Sequence, residues 1–346
     1  MHTFTKAHGP RTTDHGWGRR GRRAVLCFLS PALCLLAAGC TDGPGRGGDL
    51  GGRQIRAVAT TSMVADLVRE IGGERVVVEG LMGPNVDPHL YRPTEGDVTR
   101  MTAADVIFFN GLHLEGKMAE VLEQVERQGI AAEAVAEAIP EDRLLAPPEF
   151  QGNYDPHVWM DAQLWKEAAG AVASRLAALD TAHAAGYRQR LAGYTARLDS
   201  LDRWVRGRVA EVPEAQRVLV TAHDAFNYFG RAYGFEVRGL QGISTATEAG
   251  TADVQALARF VAERRIPAMF VESSISPRSI QAVQEAVQAR GFSVRIGGSL
   301  YSDALGSPGS GAETYEGMIR HNVNTIVDAL LPQSATEASP DGVAMR

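Results

Sequence analysis

Sulfur ligands are missing from almost the whole chain. Cys27, Cys34 and Cys40 are its three cysteines, so nothing after residue 40 can form a disulfide, a thiolate nucleophile or a cysteine-held metal site. Any metal bound there takes nitrogen and oxygen donors. A chain of 346 residues buries enough apolar surface to fold without such staples. Basic charge is also short: removing six basic and one acidic residue in positions 1–40 from the total of 35 and 41 leaves 29 against 40, a net charge of -11. So acidic a body is repelled by a phosphate backbone, and no nucleic-acid partner is expected. Neither H-E-x-x-H nor H-x-H occurs, and Gly72-Gly73 and Gly297-Gly298 read as turns, since neither opens a phosphate loop followed by lysine.

What is present begins with a leader. Arg19, Arg20, Arg22 and Arg23 precede the mostly apolar residues 24–39, which are too few to span a bilayer and end in Ala37-Ala38-Gly39-Cys40. Small residues before a cysteine resemble a bacterial lipobox, which makes residues 1–40 a signal peptide and Cys40 the lipidated mature N-terminus. Residues 22–26 (RRAVL) also resemble a twin-arginine signal, so the general and twin-arginine routes both stay open. Residues 41–53 are glycine-rich and aperiodic, a flexible tether.

From there the chain alternates. Runs rich in β-formers at 55–60 (IRAVAT), 76–78 (VVV) and 106–109 (VIFF) are separated by helical stretches, and a second set follows at 218–221 (VLVT), 235–238 (FEVR), 268–271 (AMFV) and 293–296 (SVRI). This is an α/β pattern with largely parallel sheets. It predicts two lobes, residues 54–185 and 213–331. Between them Leu191, Tyr194, Leu198, Leu201, Val205 and Val209 recur at three- and four-residue steps, predicting one amphipathic helix over 186–212 that stops before Pro213. Residues 332–346 are small and polar, a disordered tail.

The residues able to carry chemistry are few. Six histidines lie beyond the leader, and two share a tripeptide, Asp87-Pro88-His89 and Asp155-Pro156-His157, each followed two residues later by an aromatic, Tyr91 or Trp159. Proline stiffens the turn and the nearby Asp can orient the ring, which suits a metal ligand; a hydrogen-bonded core histidine is the ordinary alternative for each taken alone. His223 follows a predicted strand, and ligands in open α/β sheets gather at carboxyl ends of strands, although a hydrogen bond at a helix start would explain it too. Asp303, in 300–306 (LYSDALG), stands after the last predicted strand, where a helix cap is the commoner role. Together the four would supply three nitrogens and a carboxylate, two from each lobe. Glu248 and Glu272 are candidates to support them. His113 makes an accidental H-x-E match to zinc deaminases, and His183 and His321 suit surface or packing roles.

At these residues the chain resembles the zinc/manganese solute-binding proteins of bacterial ABC transporters, the TroA-type in particular. The resemblance is carried by 85–93 (NVDPHLYRP), 155–161 (DPHVWMD), 220–229 (VTAHDAFNYF), 241–249 (QGISTATEA) and 270–274 (FVESS), in family order. It implies two α/β lobes joined by one long rigid helix, with Zn2+ or Mn2+ as transported ligand in the interlobe cleft at His89, His157, His223 and Asp303. Manganese-type members place Glu where His223 stands, and many zinc-type members carry a His-rich loop where residues 141–154 have no His. The expected partners are a permease subunit, a divalent metal ion and a membrane, through a lipid anchor; the chain itself is expected to be an extracytoplasmic monomer. A secreted zinc hydrolase is the competing class, but four protein ligands close a tetrahedral site and leave no position for a reactive water. A structural metalloprotein is the third, and chelation that collapses the fold would mark it. With free imidazoles titrating near their ordinary value, metal affinity is expected to fall below about pH 6.5.

Overall fold

The computed structural model describes residues 50, 52–150 and 152–331; the expected leader with Cys40, most of the tether and the tail lie outside these residues. The first lobe runs β1 (Ile55–Ala59), α1 (Ser62–Gly72), β2 (Val76–Gly80), α2 (Glu95–Ala103), β3 (Val106–Phe109), α3 (Ala119–Arg127) and β4 (Ala131–Ala134). Its strands form one parallel sheet in the order β2-β1-β3-β4, with Ala57 paired to Val78 on one side and Val106 on the other. β1 and β3 are central and mostly buried, as their nearly unbroken apolar composition requires when helices cover both faces. Thr61 caps α1 by accepting the Val64 N–H, and Met63, Val64, Leu67, Val68 and Ile71 form its buried stripe.

Two helices follow: α4 (Ala162–Leu179), and α5 (Ala184–Val209), whose 26 residues extend about 39 Å. Tyr187, Tyr194, Leu198, Leu201, Val205 and Val209 are the buried stripe of α5, in phase with the predicted periodicity. The second lobe comprises β5 (Val218–His223), α6 (Asn227–Tyr233), β6 (Glu236–Gln241), α7 (Thr251–Arg264), β7 (Ala268–Glu272), α8 (Arg278–Gln288), β8 (Arg295–Leu300) and α9 (Tyr315–Leu330). β5 pairs with β6 and β7 with β8, both in parallel, and β5 lies beside β7. The molecule is therefore α/β, two lobes of parallel strands flanked by helices and joined by the long α5.

The lobes also share apolar packing. One buried cluster runs from Ile55, Met63 and Leu67 of the first lobe through Trp165, Leu198 and Val205 to Phe270, Ile319 and Ile326 of the second, with Trp165 stacked on Tyr315 at 5.5 Å between ring centres. A separate cluster, including Val220, Val261, Met269 and Val283, packs α7 and α8 against the second lobe's strands. Among the described residues no helix is long and apolar enough to cross a membrane.

Trp165 is fully buried where α4 meets α9. Trp165→Ala is expected to cost about 3–5 kcal/mol of unfolding free energy in a urea titration; a loss below about 1 kcal/mol would show that this stack does not hold the lobes together.

Candidate metal centre

Every candidate ligand sits just at or beyond the carboxyl end of a strand, or on a loop leaving one. His89 lies between β2 and α2, His157 between β4 and α4, His223 is the last residue of β5, and Asp303 follows β8 by three residues. The sequence placed His223 just after a strand; the ladder instead continues to it, His223 pairing with Gln241. Nor does Asp303 cap a helix, because α9 begins only at Tyr315. In both Asp-Pro-His turns the aspartate folds back to accept the histidine N–H, at 2.9 Å for Asp87 with His89 and 3.0 Å for Asp155 with His157.

The four side chains converge. Each is buried, and one donor atom from each lies within 4.8 Å of all the others. His89 Nε2 is 3.3 Å from His157 Nε2, His157 Nε2 is 3.5 Å from an Asp303 oxygen, and His223 Nε2 is 3.2 Å from the other. Four ligands bonded at about 2.1 Å around a tetrahedral ion stand about 3.4 Å apart, so these spacings suit such an ion. His223 Nε2 and Asp303 Oδ1 have no hydrogen-bond partner although both are buried. Buried polar atoms left unpaired are costly, and a cation at the common point would satisfy both.

The ring orientations are set from behind. Asp155 Oδ1 takes the Nδ1 side of His157 at 2.7 Å, and Glu272 takes His223 twice, Nδ1 at 2.6 Å and the backbone N–H at 2.9 Å. Each carboxylate holds the proton on Nδ1 and turns Nε2 to the centre. Asn227 Nδ2 and the Tyr228 hydroxyl, both on α6, bind Asp155 in turn, and Trp159 Nε1 donates to the Ser302 carbonyl at 2.8 Å, fastening the Asp303 loop to the first lobe. Leu305 N–H adds a bond to Ser62 Oγ at 2.8 Å. On the far side of β5, a Cβ on Gly239 would lie 2.6 Å from Asp224 N, so only glycine lets β6 pass the turn after His223.

The electrostatics follow from this arrangement. Burial lowers the His157 imidazole, but the charge and hydrogen bond of Asp155, helped by Asp303, push it up to about 8. His223 behaves likewise: burial opposes its charge, and Glu272 with Asp303 carries it well above the ordinary value. Burial raises Asp303, yet His223 and His157 hold it well below the usual carboxylate range. His89 is pulled down to about 3, by burial first and by the other two imidazoles.

Not every expected residue is here. Glu272 supports His223, whereas Glu248 is exposed and makes no hydrogen bond to any of the four. Asp87 does not reach its histidine ring; its second oxygen goes to Thr245. His113 is exposed with a positive φ of 66°, His183 bonds Asp180, and His321 bonds the Ser299 carbonyl. The sequence reading missed the contributions of Ser62, Thr245 and Asn227; the aromatic after the second Asp-Pro-His was the available signal for Trp159.

Fold and site together define a two-lobed α/β binding protein with a nitrogen-rich centre buried at the lobe junction. The family described as zinc-uptake complex component A, periplasmic (ZnuA), matches residues 57–329. Manganese-binding lipoprotein MntA of Bacillus subtilis is 47% identical over 313 residues, covering 90% of this chain and 99% of that protein. Zinc-binding protein TroA of Treponema pallidum is also 47% identical over 313 residues, covering 89% and 99%. The solved structure of the periplasmic zinc-binding protein TroA from Treponema pallidum superposes with a TM-score of 0.78 at 49% identity, covering 81% of this chain and all of that one. The chain belongs to this family, the metal-binding solute-binding proteins of ABC transporters.

If Asp155 is what raises His157, then Asp155→Asn should lower the His157 midpoint from about 8 by roughly one unit or more, followed by NMR of labelled imidazoles before metal is added. An unchanged midpoint would assign the rise to Asp303 alone.

Proposed function

We propose that the chain captures a divalent transition metal, zinc ahead of manganese, with His89, His157, His223 and Asp303 as its ligands. It delivers the ion to the membrane permease of an ABC importer, with ATP hydrolysis on other subunits. In this reading it works as a monomer outside the cytoplasm, held to a membrane by lipid on Cys40 through the tether of residues 41–53, and performs no catalysis. Residues 54–185 and 213–331 are the two lobes that close on the ion, with the connecting helix between them. The observation that carries the proposal is the convergence of four buried donors on one point, two of whose atoms, His223 Nε2 and Asp303 Oδ1, lack any other partner.

Relatives of equal identity are named for manganese and for zinc, so the choice of metal is argued from donor chemistry. Three imidazoles and one carboxylate suit four-coordinate zinc; manganese prefers more oxygen and a higher coordination number. Four protein ligands hold an ion without presenting it to a reactive water, which favours capture over hydrolysis.

Protons compete with the metal for the same Nε2 atoms, so binding expels them. Since Asp155 and Asp303 hold His157 at about 8, and Glu272 with Asp303 holds His223 well above the ordinary imidazole value, the competition begins at higher pH than free imidazoles would give. Affinity should therefore weaken as pH falls from about 8, with protons released on binding in calorimetry run in buffers of different ionisation enthalpy. Affinity flat between pH 8 and pH 6 would contradict the three-histidine site.

Competition titration tests the choice of metal. His223→Glu, which offers a second carboxylate, is expected to narrow the zinc-to-manganese affinity ratio by about tenfold or more, and the exposed His113→Ala to leave it unchanged. An unchanged ratio in His223→Glu removes His223 from the ligand set.

A further inference from the structure

The two Asp-Pro-His turns are built alike and tethered differently. In the second, Asp155 holds both the backbone and the ring of His157. In the first, Asp87 Oδ1 holds only the His89 N–H, at 2.9 Å, while Oδ2 accepts Thr245 Oγ1 at 2.6 Å from the opposite lobe. Among the described residues no carboxylate hydrogen-bonds the His89 ring, so its aim rests on the turn, and the turn rests on Asp87. His157, His223 and Asp303 each have stronger or multiple ties, through Asp155, through Glu272, and through Trp159 and Ser62.

Thr245 belongs to residues 242–250, which connect β6 to α7. Its side chain is buried, whereas Ala246, Thr247 and Glu248 are exposed. Two cavities border this connection, one of about 610 Å³ lined also by Asp87, Leu90, Ser274 and Arg278, the other of about 460 Å³ lined also by Phe150 and Asn153. The connection therefore has room to shift, and among the described residues its one side-chain hydrogen bond to the first lobe is Thr245 to Asp87.

We infer that Thr245 is a positioning residue for metal retention: by holding Asp87 across the cleft it fixes the His89 turn, and release of the ion begins when that bond opens. The inference rests on the metal-capture reading above. The bond is already made without an ion, so it is part of the resting site; its loss loosens the His89 turn under a bound ion and acts on escape more than on encounter.

The test is stopped-flow transfer of Zn2+ from the loaded protein to excess chromogenic chelator, with association measured separately. Thr245→Val, which keeps the shape and removes the hydroxyl, should release zinc about tenfold faster or more, with association within about threefold of wild type. Thr245→Ser should restore wild-type release, and Thr247→Val, on the exposed part of the same connection, should match wild type. Equal release from wild type and Thr245→Val overturns the inference, as does Thr245→Ser releasing as fast as Thr245→Val, or Thr247→Val accelerating equally. Wild-type protein that takes up no zinc overturns the metal-capture reading instead.

Discussion

Three imidazoles and a carboxylate are packed into a buried space where each donor atom is within 4.8 Å of the rest. Removing such groups from water is expensive unless they are paired, and here the pairing is incomplete by construction. Asp155 and Glu272 occupy the rear nitrogens of His157 and His223, so the front nitrogens are held toward the centre, where His223 Nε2 has no hydrogen-bond partner. Much of the surrounding structure maintains that frustration. Trp159 and Ser62 tie the Asp303 loop to the first lobe, and α6 grips Asp155 from the second. A divalent cation at that point would relieve it, which would make ion binding and the integrity of the lobe junction one energetic problem.

That junction is broader than a linker. Helix α5 runs along both lobes, and the apolar cluster it shares with α1, α4 and α9 is continuous from one to the other. Large rigid-body opening would expose Trp165 and Tyr315, both fully buried. The β6 to α7 connection at the rim borders two cavities and sends one side-chain hydrogen bond across to Asp87, which is where the proposed release of the ion would begin. The proposed ligands thus divide into three that are stiffly held, His157, His223 and Asp303, and a fourth, His89, on a more lightly held turn.

How much of this could be read from the chain depended on whether the cause was local. The repeated Asp-Pro-His turns were legible because proline and the Asx hydrogen bond act within three residues, and α5 because its stripe persists for seven turns. His223 stood out at the end of a buried apolar run. Partnerships across long separations were not legible: Glu272 lies 49 residues from His223, and nothing local distinguishes it from the exposed Glu248. Strand β4, whose sequence of alanines and a glutamate favours helix, is extended because Val106 to Phe109 offers it a free edge, a tertiary effect that overrides propensity. Asp303 was marked in the sequence only by its place after the last predicted strand, where a helix cap is the commoner role.

The central claim is the composition of the ion's coordination shell, and X-ray absorption of the protein loaded with one equivalent of zinc reads it most directly. Three nitrogen scatterers with the outer-shell signature of imidazole and one or two oxygens, all at about 2.0–2.2 Å, are the expected result. A shell dominated by oxygen, or one in which fewer than two imidazoles are counted, would contradict capture by His89, His157, His223 and Asp303.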